Sequence, residues 1–553
     1  MSRSSNNILD TINFYIFRNF IFKKGLKVSM SPKWRQFQVS ILNLLLILAP
    51  TWGNSSEQNH ALSVASMPPL LELEKKLIDN LEDYANVMEQ KLQVLRSYIP
   101  VLRAENAKGR KDAMFYLSNP LNAHSLIRRL HQDWPKWRIY MIQPVGTVQI
   151  RNFDSWKTDL PTSTDLFDAC AGIVRIKNIY ELKVEDIIQG KIDGCQYNFS
   201  MSSTDIFAVG YHLAKRKAEL EGIQWLQEAV NRLRNEPPLL AIAELEVLKL
   251  LAECHLNENK YSKALSLVEK CLKIEPQRGY FIRLRHKINK LIRDQTNGTI
   301  EKEKPLEKTL EKAFKLSCRG LLNTSTKLHC SYNFSTTPFL RFAPFKMEQV
   351  GLNPYVVLYH DVISPQESAQ LIELAASDLK ASGVFQAKGS TFKRLRTVKA
   401  RWIKKEFNEL TKRITRRIRD MTGFDLKEGE KFQIINYGIG GHYNMHKDYF
   451  NLTKIPYKEV ALAKHFGDRI ATVLFYLSDV EQGGATVFPM SGYTIYPRAG
   501  TALLWYNLHT DGHCDPSTLH AACPVMVGSK WVMTEWIRER GQMFIRPCLK
   551  PSA

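Results

Sequence analysis

The chain has 553 residues, too many for a single hydrophobic core, so we expect about three domains. Its hydrophobic content of 44% is that of a globular protein, which excludes wholesale disorder. The formal net charge of +22 would suit a nucleic-acid-binding protein, because clustered Lys and Arg side chains neutralise phosphates. The N-terminal segment argues against that class.

The first feature along the chain is an apolar run at residues 39–49, which follows a basic stretch. Its length is typical of a secretory signal and too short for a comfortable bilayer span, and Thr51-Trp-Gly53 fits a small-x-small cleavage pattern. We therefore interpret residues 1–53 as a signal region, with Met30 as a candidate start. An uncleaved anchor is the alternative, and we expect no stable membrane span elsewhere.

Six N-x-Ser/Thr tripeptides support secretory entry, since they are acceptors for N-glycosylation. They lie at Asn54, Asn198, Asn297, Asn323, Asn333 and Asn451. The nine cysteines suit the same oxidising compartment, and none has the C-x-x-C spacing of a zinc site. A secretory chain has little use for nucleic acid, so we expect no nucleic-acid partner.

Apolar residues recur at spacings of three and four from Leu70 to Ile99, with charged residues between them. This periodicity predicts an amphipathic, coiled-coil-like helix. Such a helix packs either inside its own domain or against another subunit, and the pattern alone leaves both open. We assign residues 54–199 to an N-terminal helical domain.

A second helical region, from Ser203 to Lys290, contains one recognisable repeat. Leu251-Ala-Glu-Cys-His, Asn259-Lys-Tyr-Ser-Lys-Ala-Leu and Leu272-Lys-Ile-Glu-Pro place small, aromatic and proline residues as a tetratricopeptide (TPR) helix pair does. One repeat cannot bury its own apolar face, so the flanking helices must pack against it. We assign residues 200–292 to a TPR-like domain.

Residues 293–350 are rich in charged and turn-forming residues, which predicts a linker. After it, Ser364-Pro-Gln-Glu367 is a capping box that predicts the start of a helix. Basic residues greatly outnumber acidic ones between Lys388 and Arg419. Such a run is typical of a solvated helix face; the functional alternative is attraction of an acidic cosubstrate or partner.

The stretch from Tyr437 to Asp448 contains half of a candidate metal site. His446 and Asp448 are two residues apart, so on a β-strand both side chains point to the same face. His520 can supply a second imidazole from another strand. Two His and one carboxylate on one face of an iron form the facial triad of non-haem Fe(II) oxygenases. An H-x-D pair alone is a weak signal, because two solvated strand residues also fit it.

Several blocks around this pair resemble the catalytic domain of the collagen prolyl 4-hydroxylase alpha-subunit family. They are Asn436-Tyr-Gly-Ile-Gly-Gly, Asp468-Arg-Ile-Ala-Thr-Val-Leu-Phe-Tyr-Leu-Ser-Asp-Val, Gly483-Gly-Ala-Thr-Val-Phe-Pro, Gly500-Thr-Ala-Leu-Leu-Trp-Tyr-Asn-Leu and His520-Ala-Ala-Cys-Pro-Val-Met-Val-Gly-Ser-Lys-Trp. The resemblance implies a double-stranded β-helix, or jelly roll, over residues 351–548. The whole chain is then an α+β multidomain protein.

The resemblance also implies a reaction and its site. The implied Fe(II) ligands are His446, Asp448 and His520. Lys530 would bind the far carboxylate of the cosubstrate 2-oxoglutarate, with hydroxyl support from Tyr437 and Thr486. The family reaction hydroxylates peptidyl proline at C4, and L-ascorbate restores ferrous iron after uncoupled turnover.

Partners follow from the same resemblance. An alpha subunit of this family is expected in the endoplasmic reticulum lumen, paired with protein disulfide isomerase as the beta subunit. Asn119-Pro-Leu-Asn-Ala-His-Ser-Leu-Ile-Arg-Arg-Leu resembles the family's N-terminal domain, which favours self-association through residues 54–199 in an alpha2beta2-like assembly.

Four cysteines resemble the family's two disulfide pairs in position. Cys318 and Cys330 bracket a short loop, and Cys523 and Cys548 form the second set. The remaining cysteines are Cys170, Cys195, Cys254, Cys271 and Cys514. Their number is odd, so we expect at least one free thiol.

The sequence departs from the family at two places. In the TPR-like region the framework residues of the family are matched by Phe207, Gly210 and Trp225. The positions where the family's groove tyrosines are expected hold Ala214, Glu219 and Leu220 instead. Tyr211 is therefore the only tyrosine of its helix. Beside the metal site Met445 and Lys447 replace a proline and an aromatic residue. The lone histidines His442, His465, His509 and His513 are interpreted as structural or surface groups.

Two alternatives stay open, the first because of the missing tyrosines. One is a related dioxygenase that acts on a proline-rich or lysyl substrate other than collagen. The other is a non-catalytic, collagen-binding or chaperone-like subunit. Loss of a metal ligand would favour the second alternative, and the sequence retains all three ligands.

Overall fold

Helices form the first half of the chain and antiparallel strands dominate the second half in the computed structural model, which confirms the expected α+β organisation. The structure describes residues 59–233, 242–295, 309–322, 329–382, 396–427, 429–452 and 465–546. The signal region and its candidate start, the sequons at Asn54, Asn297 and Asn323, and Cys548 lie outside these ranges. None of the helices within them combines the length and apolar composition needed to cross a membrane.

The N-terminal region is helical, as its periodicity predicts. Its helices are α1 (Pro68–Arg110), α2 (Ala113–Ser118), α3 (Pro120–Arg128), α4 (Trp134–Ile142), α5 (Thr147–Trp156), α6 (Ser163–Tyr180) and α7 (Val184–Ile188), followed by the short strands β1 (Lys191–Ile192) and β2 (Cys195–Gln196). Prolines at the first positions of α1 suit a helix start, because the missing N–H would have no intrahelical partner. No residue of α1 is buried, although this helix is described throughout.

A second group of helices follows, in which each helix packs against the next. They are α8 (Ser203–Lys215), α9 (Glu219–Arg232), α10 (Glu244–Asn257), α11 (Tyr261–Ile274) and α12 (Gly279–Gln295). A capping box between Ser202 and Asp205 starts α8. Trp225 of the predicted framework is fully buried, together with Leu226 and Ala229 of the same helix face.

The expected linker at 293–350 is wrong in part. It contains α13 (Thr309–Cys318), β3 (His329–Asn333) and most of β4 (Phe345–Leu352), and both strands join the large sheet. Phe314, Ser317 and Cys318 of α13 are buried. Residues 296–308 lie outside the described ranges, but on α13 Glu311 and Lys312 are exposed opposite this buried face, so composition alone hid the amphipathic character of the helix.

The C-terminal half is built on a nine-stranded antiparallel sheet. Its order is β3-β4-β5-β14-β10-β17-β8-β7-β6, with β5 (Tyr355–His360), β6 (Lys380–Ala381), β7 (Val398–Ile403), β8 (Phe432–Tyr437), β10 (Arg469–Tyr476), β14 (Ala502–Tyr506) and β17 (Trp531–Arg538). A four-stranded sheet has the order β13-β12-β15-β9, with β9 (Tyr443–His446), β12 (Thr486–Phe488), β13 (Tyr493–Ile495) and β15 (His520–Ala522). β11 (Gln482–Gly483) pairs with β16 (Val525–Val527).

Both faces of the large sheet are covered. On one face, Val473 and Phe475 of β10 pack with Ile414 and Ile418 of α15 (Glu409–Thr422), and α14 (Pro365–Ala376) joins the same core. On the other face, residues of both sheets share a core that includes Val532 and Phe488. Because side chains alternate along a strand, β10 contributes to both cores and carries Thr472 towards the space between the sheets.

The capping box predicted at Ser364 is present and starts α14. The basic helix α15 is amphipathic, with Ile414 and Ile418 in the core and most of its Arg and Lys side chains exposed. This part of the basic run agrees with a solvated helix face, whereas Lys399 and Lys405 are buried and residues 388–395 lie outside the described ranges. Arg417 turns back instead and forms an ion pair with Glu367.

Candidate metal centre

His446, Asp448 and His520 converge at one point between the two sheets. His446 ends β9 and His520 begins β15, and the register of this antiparallel pair places the two residues directly opposite each other. Each His Nε2 atom lies 3.7 Å from an oxygen of Asp448, and one ligand atom from each residue lies within 4.8 Å of the others. This is the arrangement that a single iron bound on one face requires.

Backbone carbonyls orient both imidazoles. The Nδ1 atom of His446 lies 2.7 Å from the Asn444 carbonyl oxygen, and that of His520 lies 2.9 Å from the Thr518 carbonyl oxygen. A carbonyl only accepts, so Nδ1 carries the proton and Nε2 presents its lone pair to a metal. Burial, and then the neighbouring His520, hold the pKa of His446 well below its ordinary value. A neutral imidazole is the form that binds metal.

Asp448 is held by a buried chain of hydrogen bonds. The Thr472 hydroxyl donates to Asp448 Oδ2 at 2.8 Å, the Asn507 amide donates to Thr472 Oγ1 at 2.9 Å, and the Trp505 indole donates to Asn507 Oδ1 at 2.9 Å. Burial by itself would raise the pKa of Asp448, but His520, His446, Arg469 and this hydrogen bond hold it below its ordinary value. The carboxylate is therefore ionised and fixed.

Sequence reasoning missed Thr472 and Asn507. Both stand in family blocks, the first in Asp468-Arg-Ile-Ala-Thr and the second in Leu-Trp-Tyr-Asn. The alternation of β10 could have suggested Thr472, since it occupies the opposite face from the apolar Val473.

Aromatic rings cover the site. The Trp505 ring centroid lies 4.8 Å from that of His520, and the Phe488 centroid lies 5.7 Å from it. Tyr443 stacks on His446 at 3.4 Å between ring centroids. These apolar walls limit water around the ligands and strengthen electrostatic interactions there.

Lys530 lies in the same core with 1% of its surface exposed. Its Nζ donates to the Gly484 carbonyl oxygen at 2.6 Å and lies 4.8 Å from the Tyr437 ring centroid. Among the described residues no carboxylate forms an ion pair with it, and burial lowers its pKa to about 7. A buried cation without a counter-charge is suited to an anionic ligand.

Tyr437 and Thr486 are placed differently with respect to Lys530. The Tyr437 ring faces the ammonium, whereas the Thr486 hydroxyl accepts a hydrogen bond from Tyr476 at 2.7 Å. Tyr476 is fully buried, and its ring centroid lies 5.9 Å from Lys530 Nζ. Tyr476 is a further neighbour of Lys530 that sequence reasoning missed.

The two departures beside His446 leave the ligands in place. Met445 packs against the core around Cys523 and Val487. Lys447 is exposed, with its Nζ 5.3 Å from the Tyr449 ring centroid, so it points away from the ligands as strand alternation predicts.

The lone histidines lie outside the triad. His442 is buried and lies 3.2 Å from the Thr397 hydroxyl. His513 and His509 are exposed and lie near Asp511 and Asp515, respectively. His465 packs edge-on against the adjacent Phe466 ring.

The expected pairing of Cys318 with Cys330 is wrong, and so is that of Cys523 with Cys548. Cys318 forms a disulfide with Cys523, because α13 packs on the four-stranded sheet and brings its last residue next to the strand end after His520. Cys330 lies exposed and unpaired on β3, at the edge of the large sheet. A short loop made the first pairing plausible in sequence, but packing decides which sulfurs meet.

The five other cysteines carry free thiols, as their odd number suggested for at least one. Cys170, Cys254 and Cys271 are buried, and burial raises the pKa of each. Cys195 is exposed, and Cys514 is partly buried.

The described sequons differ in accessibility. Asn198 is exposed. Asn333 is buried, and its amide donates to the Met421 carbonyl oxygen at 3.1 Å. A glycan on that nitrogen does not fit this packing, so the structure contradicts Asn333 as an acceptor. Asn451 has a left-handed backbone and is partly buried.

Comparison with known proteins gives family matches in both halves of the chain. Residues 63–194 match the N-terminal region of the prolyl 4-hydroxylase alpha subunit, and residues 432–538 match the 2OG-Fe(II) oxygenase superfamily. All three metal-site residues and Lys530 fall within the second match.

Similar proteins extend over most of the chain. Prolyl 4-hydroxylase subunit alpha-2 of Gallus gallus is 30% identical over 88% of this chain and 94% of its own length. Subunit alpha-2 of Caenorhabditis elegans is 32% identical over 88% and 92%, and subunit alpha-1 of Homo sapiens is 30% identical over 88% and 95%. Among solved structures, a viral collagen prolyl hydroxylase from Paramecium Bursaria Chlorella virus-1 is 25% identical over 33% of this chain and 95% of its own, with a TM-score of 0.27. The chain belongs to the prolyl 4-hydroxylase alpha-subunit family.

Proposed function

We propose that this chain is a catalytic prolyl 4-hydroxylase alpha subunit, which hydroxylates proline in collagen-like or proline-rich chains with Fe(II), O2 and 2-oxoglutarate. The observation that carries the proposal is the convergence of His446, Asp448 and His520, together with the buried Lys530, which has no ion-pair partner among the described residues. Family membership supplies the reaction class.

The two His and one Asp would hold Fe(II), since neutral imidazoles and a fixed carboxylate are the donors of the facial triad. Fe(II) with bound 2-oxoglutarate supplies the oxidation, in which O2 converts the cosubstrate to succinate and CO2 and one oxygen atom becomes the hydroxyl of the product.

The chain's own residues bind the cosubstrate and orient the metal ligands. Lys530 binds the far carboxylate of 2-oxoglutarate, and the rings of Tyr437 and Tyr476 flank the ammonium. Thr472 fixes the Asp448 carboxylate, and Trp505 limits water around His520. A carboxylate arriving next to Lys530 restores its charged form, because an opposite charge favours the protonated ammonium.

We assign the two sheets to a double-stranded β-helix and the helices α8–α12 to a TPR-like domain that binds the peptide. The sequential packing of these helices and the core shared by the two sheets support these assignments. An extended proline-rich chain suits a groove between helices, because its polyproline II helix needs only flat, partly apolar contacts.

The family also suggests the assembly. We propose pairing with protein disulfide isomerase in the endoplasmic reticulum lumen, self-association through the N-terminal domain, and L-ascorbate as the reductant after uncoupled turnover. Large exposed apolar side chains on α1, such as Leu71, Leu81 and Ile78, support a subunit contact. The relatives are named as subunits, which supports the presence of a partner subunit.

One observation favours an alternative substrate. Ala214, Glu219 and Leu220 occupy positions where groove tyrosines are expected, so a related proline-rich or lysyl substrate is the second candidate. The non-catalytic alternative is disfavoured, because all three ligands are present and converge.

The test is coupled succinate release by the full-length chain with a panel of Pro-Pro-Gly, polyproline and lysine-containing peptides. We expect Pro-Pro-Gly or another proline-rich peptide to stimulate Fe(II)-dependent succinate release, with hydroxyproline in the product. The Asp448→Ala variant should lose turnover and retain its folded spectrum. Equal release with Asp448→Ala, or release stimulated only by lysine peptides, would contradict the proposal.

A further inference from the structure

Residues Asn59–Ser66, which we call the N-terminal strap, lie between helix α6 and the catalytic half. On the α6 side, the Asn59 amide donates to Asp168 Oδ2 at 2.6 Å and the His60 backbone N–H donates to Asp165 Oδ1 at 2.6 Å. On the catalytic side, the strap meets the end of β8, next to Tyr437. The strap is thus anchored on both sides.

Asn436 is the contact between the strap and the catalytic core. Its Oδ1 accepts a hydrogen bond from the Ser63 hydroxyl at 2.6 Å and from the Ala65 backbone N–H at 3.0 Å. Both Ser63 and Asn436 are fully buried. A backbone N–H can only donate, so this contact also fixes which way the Asn436 amide points.

The Asn436 Nδ2 group contacts the residues that precede β17. Asn436 Nδ2 donates to the Ser529 hydroxyl at 3.1 Å and to the Lys530 carbonyl oxygen at 3.3 Å. The Tyr437 backbone N–H donates to the same carbonyl at 3.2 Å. An asparagine amide has two acceptor and two donor positions, and all four are used here. Asn436 therefore joins the strap directly to the backbone that carries Lys530.

Glycine allows the strap to approach this closely. The Ala61 carbonyl oxygen accepts from the Ile439 backbone N–H at 3.0 Å, and a Cβ atom at Gly438 would lie only 2.0 Å from that oxygen. Any larger residue at 438 would push the strap away. Gly438 thus makes room for the strap, which is remote from it in sequence.

We propose that the N-terminal strap is a positioning element of the 2-oxoglutarate pocket, and that Ser63 and Asn436 are positioning residues for Lys530. This inference rests on the proposed function, because it takes Lys530 to be the residue that binds the cosubstrate carboxylate. A buried ammonium recognises a carboxylate only if its backbone is held to within a fraction of an ångström. The strap, through Asn436, supplies that support.

The metal ligands have separate supports. In the described part of the chain, His446 and His520 are oriented by the carbonyls of Asn444 and Thr518, and Asp448 by Thr472. None of these hydrogen bonds includes a strap residue. Loss of the Ser63 contact should therefore weaken 2-oxoglutarate binding and spare Fe(II) binding.

The experiment compares Ser63→Ala with the matched control Ser66→Ala in the full-length chain. The Ser66 hydroxyl donates to the Ser63 carbonyl oxygen at 2.8 Å, so its hydrogen bond lies within the strap and does not include Asn436. Calorimetric titration of Fe(II), and then of 2-oxoglutarate to the Fe(II)-loaded protein without O2, gives the two affinities separately. Neither measurement depends on turnover.

We expect Ser63→Ala to weaken 2-oxoglutarate binding by about five- to tenfold, since one buried hydrogen bond is lost. Fe(II) affinity should change by less than about twofold, and Ser66→Ala should leave both affinities within about twofold of the parent chain. The inference would be overturned if Ser63→Ala and Ser66→Ala lost the same 2-oxoglutarate affinity. It would also be overturned if Ser63→Ala lost as much Fe(II) affinity as 2-oxoglutarate affinity.

A double-mutant cycle with Ser529→Ala tests the role of Asn436. Ser529 is only half-buried, so this variant also serves if Ser63→Ala does not fold. Alone, Ser529→Ala should weaken 2-oxoglutarate binding and retain Fe(II) binding. Combined with Ser63→Ala, it should weaken binding by less than the product of the single effects, because both act through one amide. Independent effects would contradict the relay, whereas failure of the parent chain to bind 2-oxoglutarate would contradict the proposed function itself.

Discussion

His446 and His520 face each other across two paired antiparallel strands, with their ring centroids 4.2 Å apart. Directly opposed residues of such a pair project from the same face, so one register brings together two imidazoles that are far apart in sequence. A shift by one residue would turn His520 to the other face. The metal site therefore depends on the pairing of β9 with β15.

The Thr472→Val change tests the support of Asp448. Valine keeps the shape of the buried side chain and removes the hydroxyl that donates to Asp448 Oδ2. We expect Fe(II) affinity to fall by about 10- to 100-fold, which is typical for loss of such a partner. Direct Fe(II) titration measures it. The same change at Thr534, in the adjacent strand β17, is the control, and equal losses in both variants would indicate general destabilisation.

The Lys530→Ala change should raise the apparent KM for 2-oxoglutarate much more than that for peptide. A buried carboxylate that loses its cation costs about 3–5 kcal/mol, so the increase should exceed about 100-fold. Steady-state kinetics with each substrate varied in turn gives both constants. Equal increases in the two KM values would assign Lys530 to folding rather than to cosubstrate binding.

The affinity for 2-oxoglutarate should depend on pH above neutrality. Burial lowers the pKa of Lys530 to about 7 in the free protein, and the cosubstrate carboxylate binds the protonated form. As pH rises through this value the charged fraction falls, so binding should weaken by up to about tenfold per pH unit. Calorimetry between about pH 6 and pH 9 tests this.

Lys530→Arg provides the control for the pH profile, because a guanidinium stays protonated over this range. If this variant binds 2-oxoglutarate, its affinity should vary little with pH. A flat profile for the parent chain would show that Lys530 remains charged without its ligand.

The disulfide between Cys318 and Cys523 can be mapped by mass spectrometry of a non-reduced digest. We expect a cross-linked peptide pair that contains these two residues and separates on reduction. Cys318→Ser should destabilise the chain by about 2–5 kcal/mol, whereas Cys330→Ser, at an exposed free thiol, should have little effect. A peptide that links Cys318 to Cys330 would restore the pairing expected from sequence.

The helical domain should bind polyproline or Pro-Pro-Gly repeats poorly, because it lacks most of the expected groove tyrosines. Tyr211 remains but is partly buried, with the Lys215 ammonium 5.2 Å from its ring centroid. Leu220 is exposed, so Leu220→Tyr should strengthen binding by about two- to tenfold, the contribution of one aromatic contact.

Calorimetric titration of polyproline into the full-length chain measures this affinity, with Leu71→Tyr, at an exposed position of α1, as the control. Micromolar binding by the unaltered chain would show that the lost tyrosines are not needed. A gain of the same size in Leu71→Tyr would show that any added aromatic side chain suffices.

The local features of the fold could be predicted from the sequence alone. The spacing of apolar residues predicted α1, and the capping box at Ser364 predicted the start of α14, because both signals act between residues within a few positions. The spacing of His446 and Asp448 likewise fixed their common face, since strand side chains alternate with a period of two.

Only the tertiary structure decided which remote residues meet. The pairing of Cys318 with Cys523, the hydrogen-bond chain from Trp505 to Asp448, and the contact of Ser63 with Asn436 all join segments far apart in sequence. Strand register and helix packing determine such contacts, and they depend on the whole core rather than on a local pattern. For the same reason Lys530 looks like an ordinary surface lysine in sequence. It becomes a buried cation, with no ion-pair partner among the described residues, only when the core shared by the two sheets packs around the start of β17.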